Sequence, residues 1–312
     1  PGAVLHAKIA LLCWQHRLRL IIASANLTED GYRRNQEVFG VLDYYDGCSA
    51  AAETLRDTIG FLREAAGYAD TEGSPPIERW HRLLDWAKGR ANDWGQGRPP
   101  KAERVAAVFV GPGRPSAMKQ LQEVWPGRSP PSAAYVVSPF FDPPAPRNGP
   151  AESLWELLRR KGEATVTYHV TAEETTEADR LLVHAPESLR GATPGRHNVA
   201  TCFARVQEND LSGKERLSFR PLHAKSLWLE NDNWVGFMLG SSNFTTPGLG
   251  LGRSPNLEAN LVYLASYAQT PERVDALDSA RLHGQELEDG QVQGWEPRVD
   301  ETQSDPEGPP QL

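Results

Sequence analysis

Two segments of this chain carry the same reactive side chains at the same spacing. His6-Ala-Lys8 is followed by Ser24-Ala-Asn26 and Asn35-Gln-Glu37, and His223-Ala-Lys225 by Ser241-Ser-Asn243 and Asn256-Leu-Glu258. In both copies 18 residues separate the lysine from the asparagine of Ser-x-Asn. The chain holds eight histidines and seven lysines, so a single His-x-Lys carries little weight. Two of them, each followed by the same polar pairs, define an internal repeat.

In an extended segment alternate residues share a face, so the imidazole and ammonium of each His-x-Lys converge while the alanine points away. Cleaving a phosphodiester takes a nucleophile for phosphorus, an acid for the leaving oxygen, and positive charge or donors on the equatorial oxygens. His6, His223, Lys8, Lys225, Asn26 and Asn243 supply all three. One histidine must be neutral to attack while the other is protonated to donate. The two copies must therefore meet in one site, with proton affinities split around neutrality. Lysines and asparagines take over the charge neutralisation of a divalent ion, so neither a metal nor another cofactor is expected.

The elements that must position these residues alternate between strand and helix. Strands are expected at 9–14, 19–24 and 37–44, then helices at 50–68 and from Pro76 to about Trp94. After a Gly/Pro-rich turn at 95–100 come strands at 105–110 and 133–139 around a helix at 117–125, then a proline-rich loop at 143–150. A helix at 152–160 and strands at 164–170 and 200–206 lead to a charged loop before His223. Such alternation in two successive units predicts an α/β fold, a sandwich whose sheets are covered by helices, and the repeated motifs point to an internal duplication. Residues 1–100 would hold the C-terminal part of a first repeat with a helical insert, and 101–284 a second repeat. The acidic, Pro/Gly-containing stretch 285–312 reads as a disordered tail.

Composition narrows the function classes. With 312 residues, 39% hydrophobic and 24% charged, the chain can bury a substantial core. No apolar run reaches the roughly 20 residues of a membrane span, and no signal peptide is read at the start, so a cytoplasmic location is expected. Cys13, Cys48 and Cys202 are odd in number and widely spaced, which predicts free thiols in a reducing compartment. A net charge of -8 argues against avid non-specific duplex binding, while a few focused cations can still hold an anionic substrate.

The paired motifs resemble the phospholipase D superfamily from His6 to about Leu264, and the resemblance implies a duplicated α-β-α sandwich with pseudo-twofold repeats. In its usual pattern an aspartate follows the lysine by five residues; here those positions hold Cys13 and Glu230. The departure is similar to the tyrosyl-DNA phosphodiesterase branch, as is Leu20-Ile-Ile-Ala-Ser-Ala-Asn-Leu-Thr28, and Ser138-Pro-Phe-Phe-Asp142 resembles the strand end that opens a repeat in many bacterial relatives. The resemblance implies His6 as the nucleophile that becomes phosphorylated and His223 as the acid and then the base, an assignment open to reversal. It implies that Lys8, Lys225, Asn26 and Asn243 bind phosphoryl oxygens, and that Glu37 and Glu258 accept from the far ring nitrogens. Ser24 and Ser241 are secondary candidates for phosphate contacts.

Bland readings cover the rest. His16, His81, His169, His184, His197 and His283 join no repeated motif and read as structural. Trp80, Trp86 and Trp155 read as core, the glycines at 111–113 as a turn and those at 248–252 as a site rim, and Phe140, Phe141 and Phe244 as substrate neighbours. The favoured function is hydrolysis of a nucleic-acid phosphodiester, by a nuclease or a DNA-end-processing enzyme. A phospholipase or phosphatidyl transferase is the first alternative. Repeat two has strands and a helix over 105–206 ahead of its histidine, whereas five residues precede His6. A missing N-terminal segment or partner chain completing the first repeat is therefore expected, and an inactive or fragmentary family member is the third reading.

Overall fold

The computed structural model describes residues 4–68, 75–95, 97, 102–177, 179–208 and 219–298. Strand β1 (Ile9–Trp14) turns through Gln15-His16 into β2 (Arg17–Ala23), and β2 pairs with β3 (Phe39–Tyr44), giving a three-stranded antiparallel sheet in the order β1-β2-β3. Alternation in β2 decides its faces: Leu18, Leu20 and Ile22 are wholly buried, while Arg17 and Arg19 point outward to the Asp43 carboxylate on β3. Helices α1 (Ala52–Ala66) and α2 (Pro75–Asp93) follow, and Leu55, Ile59, Leu84 and Ala87 join the same core. Trp86, expected in the core, is 37% exposed, because it lies on the outer face of α2 beside Arg90.

The second repeat is larger. In chain order it contains β4 (Glu103–Val110), α3 (Ala117–Val124), β5 (Ala133–Val137), α4 (Gly149–Leu157), β6 (Ala164–Val170), β7 (Ala172–Glu174) and β8 (Leu181–Val183). A one-turn helix α5 (Ser188–Gly191), β9 (Val199–Arg205), β10 (Ser226–Glu230), β11 (Trp234–Gly240), β12 (Glu258–Ser266) and α6 (Pro271–Ser279) follow. The helix expected to start at 152 begins at Gly149, because Asn148 caps it by accepting the Ala151 N–H at 3.0 Å, with Pro150 in the first turn.

Eight strands form one sheet in the order β13-β9-β6-β5-β10-β11-β12-β4, where β13 is Gln285–Glu286. Helices α3 and α4 cover one face, burying Met118, Leu121, Leu154 and Trp155 against Val108, Val136, Val166 and Val262. On β12 the alternate residues Ala259 and Leu261 face the other way, into the core shared with Leu20, Ile22 and α1. One strand thus belongs to two cores, and that sharing fixes the repeats against each other. The hairpins β1-β2-β3 and β10-β11-β12 are the repeated unit, and both sit in an α/β framework.

The expected tail needs correction. Residues 285–286 add β13 to the edge of β9, and β14 (Val292–Trp295) pairs with β8 in a small third sheet, where Trp295 packs on Phe203 at 4.8 Å between ring centroids. A count of aliphatic residues does not reveal this order, because an edge-paired strand and a tryptophan-anchored one need few of them. Residues 299–312 lie outside the described residues, as do 209–218 of the charged loop and most of the expected 95–100 turn. Among the described residues no helix is long and apolar enough to cross a membrane.

Because Leu261 is wholly buried where the two repeats meet, Leu261→Ala is expected to cost about 2–5 kcal/mol. Leu12→Ala, on the outer face of the first sheet where Leu12 is 42% exposed, should stay within about 0.5 kcal/mol. Urea denaturation of the two variants checks the contrast, and equal losses would contradict a core shared between repeats.

Candidate active site

Backbone pairing brings the two His-x-Lys segments together before any side chain is considered. Leu5 and Leu257 form a parallel bridge in which His6 N–H donates to Leu257 O at 3.0 Å and Leu257 N–H to Val4 O at 2.9 Å. Gln36 and Leu222 form its counterpart, with His223 N–H on Gln36 O at 3.0 Å and Gln36 N–H on Pro221 O at 2.9 Å. Each motif therefore lies against the residue that precedes the other repeat's glutamate.

The side chains follow the backbone across. His6 Nδ1 sits 2.8 Å from Glu258 Oε2, and His223 Nδ1 sits 2.7 Å from Glu37 Oε1. Spacing along the chain cannot tell which glutamate serves which histidine; the structure exchanges them between repeats. Both carboxylates are nearly inaccessible, at 0% for Glu258 and 2% for Glu37. Buried charge needs partners, and each carboxylate has the same set. Asn256 Nδ2 donates to Glu258 at 3.1 Å and Asn35 Nδ2 to Glu37 at 3.3 Å, while the Ser241 and Ser24 hydroxyls donate to Glu258 and Glu37.

Two sequence expectations change here. Ser24 and Ser241 are fully buried; beyond the carboxylates, they accept the N–H groups of Val38 and Ala259, both at 3.0 Å. They hold glutamates rather than substrate. Asn35 and Asn256, the first residues of the repeated Asn-x-Glu, acquire a function that their repetition alone could have flagged.

The lysines are placed symmetrically, Lys8 Nζ donating to His6 O at 2.7 Å and Lys225 Nζ to His223 O at 2.6 Å. Asn243 and Lys225 are buried, whereas Asn26 and Lys8 are half-buried. Each asparagine opens a second repeated device, Asn-x-Thr-x-x-Gly, at 26–31 and 243–248. Thr28 N–H and Thr245 N–H each donate to the Asn26 or Asn243 carbonyl at 2.8 Å, and the two threonine hydroxyls accept Gly31 N–H at 3.2 Å and Gly248 N–H at 3.1 Å. A Cβ at Gly31 would lie 2.3 Å from Asn26 O, and one at Gly248 2.6 Å from Asn243 O, so only glycine lets the loop close on the asparagine. Gly248, expected on the rim, thus packs beneath the site.

Electrostatics tie the two halves together. Burial pulls the His223 imidazole below the usual histidine value; its bond to Glu37 works against that, and the ammonium charges of Lys225 and Lys8 add to it. Lys8 belongs to the first motif and His223 to the second, so one field covers both. Burial would raise the Glu37 carboxyl, but the His223 and Ser24 bonds and the charge of Lys225 outweigh it and hold Glu37 below the usual carboxylate value. With a carboxylate on Nδ1, each ring keeps Nε2 for reaction.

Among the expected aromatic neighbours only Phe140 stays at the site, its ring centroid 6.4 Å from the His223 ring and 5.9 Å from Lys225 Nζ. Phe141 and Phe244 are buried and pack on Tyr168 in the core. Glu230, at the place of the resembled family's aspartate, points elsewhere: it accepts Trp228 Nε1–H at 2.7 Å and the hydroxyls of Tyr267 and Tyr135 at 3.1 and 3.2 Å. Among the described residues no three His, Cys, Asp or Glu side chains are placed to hold a metal ion.

No protein-family profile matches the chain, and no curated protein matches it. Among solved structures it is similar to yeast tyrosyl-DNA phosphodiesterase, at 12% identity over 85% of this chain and 67% of that one, with a TM-score of 0.46. It is similar to phosphatidylserine synthase from Haemophilus influenzae Rd KW20 at 12% identity, 91% and 63% coverage and a TM-score of 0.45. The phospholipase D family member NUC from Salmonella typhimurium matches at 10% identity, 59% and 99% coverage and a TM-score of 0.31. Superpositions this loose carry no functional weight; the site's own geometry does.

Since the Glu37 bond and charge raise the His223 proton affinity, Glu37→Gln is expected to lower it further. Titration of the His223 ring by NMR reads the shift, and an upward displacement would show that Glu37 does not support the protonated ring.

Proposed function

We propose that this chain is a phosphodiesterase of the phospholipase D superfamily, of the His-x-Lys…Asn kind seen in the tyrosyl-DNA phosphodiesterase branch. It hydrolyses nucleic-acid phosphodiesters through a phosphohistidine, without a metal. The observation that carries this reading is the crossed pair of buried His–Glu contacts, His6 on Glu258 and His223 on Glu37. Two imidazoles oriented through Nδ1 beside two lysines form a site for one phosphate and two proton-coupled displacements.

In the first displacement His6 Nε2 attacks phosphorus, a P–N bond forms and the P–O bond to the leaving group breaks. His223 Nε2–H gives its proton to the departing oxygen. In the second, His223, now neutral, takes a proton from water as the water oxygen attacks phosphorus, and the P–N bond breaks to restore His6. Lys8, Lys225, Asn26 and Asn243 hold the non-bridging oxygens while charge builds on them. Glu258, which meets both its oxygens to His6 Nδ1 within 3.0 Å, fixes the attacking tautomer. Glu37, bonded to His223 Nδ1 at 2.7 Å, supports the protonated ring that the donor requires.

The nucleic-acid substrate rests on the His-x-Lys…Asn form of the motif, and the net charge of -8 points to single strands or ends rather than avid duplex binding. Three free cysteines suit a reducing cytoplasm.

The test uses an oligonucleotide bearing a fluorescent 3′ blocking group, with phosphatidylcholine in parallel, both in EDTA. Release of the blocking group is expected, and His6→Ala or His223→Ala should each slow it by about a thousandfold or more. In His223→Ala, a substrate with a nitrophenyl leaving group should leave a phosphorylated His6 detectable by mass spectrometry. A well-folded protein that cuts neither substrate would sink the enzyme reading, cleavage of the lipid alone would overturn the substrate, and an adduct on His223 would reverse the roles.

A further inference from the structure

The reaction above uses every polar group of the two motifs and leaves one side chain at the site without a task. Phe140 is half-buried, and its ring stands edge-on to the His223 imidazole at an interplanar angle of 80°. Lys225 Nζ lies over the same ring at 5.9 Å. Its position is set by backbone contacts rather than by packing in a core. The Ser138 hydroxyl donates to Phe140 O at 2.6 Å and accepts Phe244 N–H at 3.0 Å, and Asp142 accepts Thr246 N–H at 2.9 Å and the Thr246 hydroxyl at 2.6 Å. The segment 138–142 is thereby clamped to 243–246, the loop that carries Asn243. The neighbours Phe141 and Phe244 are turned into the core, at 5% and 4% exposure. The clamp thus buries two aromatic rings and leaves the third half-buried beside the His223 imidazole.

We infer that Phe140 is a specificity-determining residue: its ring takes the nucleobase on the leaving-group side of the scissile phosphate. This rests on the proposed reaction, in which His223 gives its proton to the leaving oxygen. A ring packed on that histidine lies on the side from which the leaving nucleoside departs. Stacking on an aromatic ring is available to every base and needs no hydrogen-bond code, so the contact would secure a nucleoside without reading its sequence. The ammonium of Lys225 over the ring adds a cation–π contact that keeps the ring in place while the lysine serves the phosphate.

The experiment compares two dinucleotides, each with one phosphodiester. In one, the leaving nucleoside carries its base; in the other, hydrogen replaces that base, so the leaving alcohol is the same. Cleavage in EDTA and equilibrium binding by calorimetry are both measured for the wild type, Phe140→Ala, Phe140→Leu and Phe140→Trp. The wild type should favour the base-bearing substrate about tenfold in kcat/KM and in affinity. Phe140→Ala and the volume-preserving Phe140→Leu should erase that preference through KM with the abasic substrate unchanged, and Phe140→Trp should keep it. Equal losses on both substrates would make Phe140 a positioning residue for His223 and overturn the inference, as would a wild type indifferent to the base. A protein that shows the preference in binding but cuts neither dinucleotide would lose the proposed reaction and keep the contact.

Discussion

The structure depends on two buried imidazole–carboxylate contacts that run between repeats rather than within them. A carboxylate at 0% or 2% exposure is costly to bury, and removing one partner of such a pair costs about 3–5 kcal/mol. The surroundings are arranged to meet that demand. Each glutamate accepts from a serine, an asparagine two residues earlier in the chain and a histidine of the other half. The serines are held in turn by backbone N–H groups of the strand that carries the glutamate or borders it. Reactive groups and scaffold are thus one network, and the alternation of β12 between two cores supplies the apolar part of the same junction.

Symmetry in that network is close but incomplete, and the departures have chemical content. Lys225 and Asn243 are buried where Lys8 and Asn26 are half-buried, and an aromatic ring stands beside His223. Unequal burial of the matching lysines and asparagines gives the two imidazoles different surroundings on a shared framework without changing the residue types.

Much of this was legible in the sequence because the repeat is short and its period is that of a strand. His-x-Lys and Asn-x-Glu mark the histidines and glutamates that meet as pairs, and alternating runs such as Leu18, Leu20 and Ile22 mark the strands beside them. Exchange of glutamates was not legible, since spacing gives neighbours along the chain and not partners across a fold. Ser24 and Ser241 looked like phosphate ligands because a buried hydroxyl and an exposed one are written with the same letter. The Asn-x-Thr-x-x-Gly loops were overlooked because the residues between the matching positions differ: Leu27, Glu29 and Asp30 in one copy, Phe244, Thr246 and Pro247 in the other. Strands near 285–295 escaped a count of aliphatic residues because tryptophan and edge pairing hold them.

The crossing of the carboxylates also bears on how the molecule comes into being. Glu258 meets a histidine 252 positions away, and Glu37 one 186 positions away. Contacts of such sequence separation close late, after local hairpins have formed, because the entropy of the intervening loop must be overcome first. A nascent or half-folded chain therefore holds isolated imidazoles and no competent centre. The paired His–Glu centre is complete only with the last long-range closure, so an activity that needs both pairs would report that folding is complete.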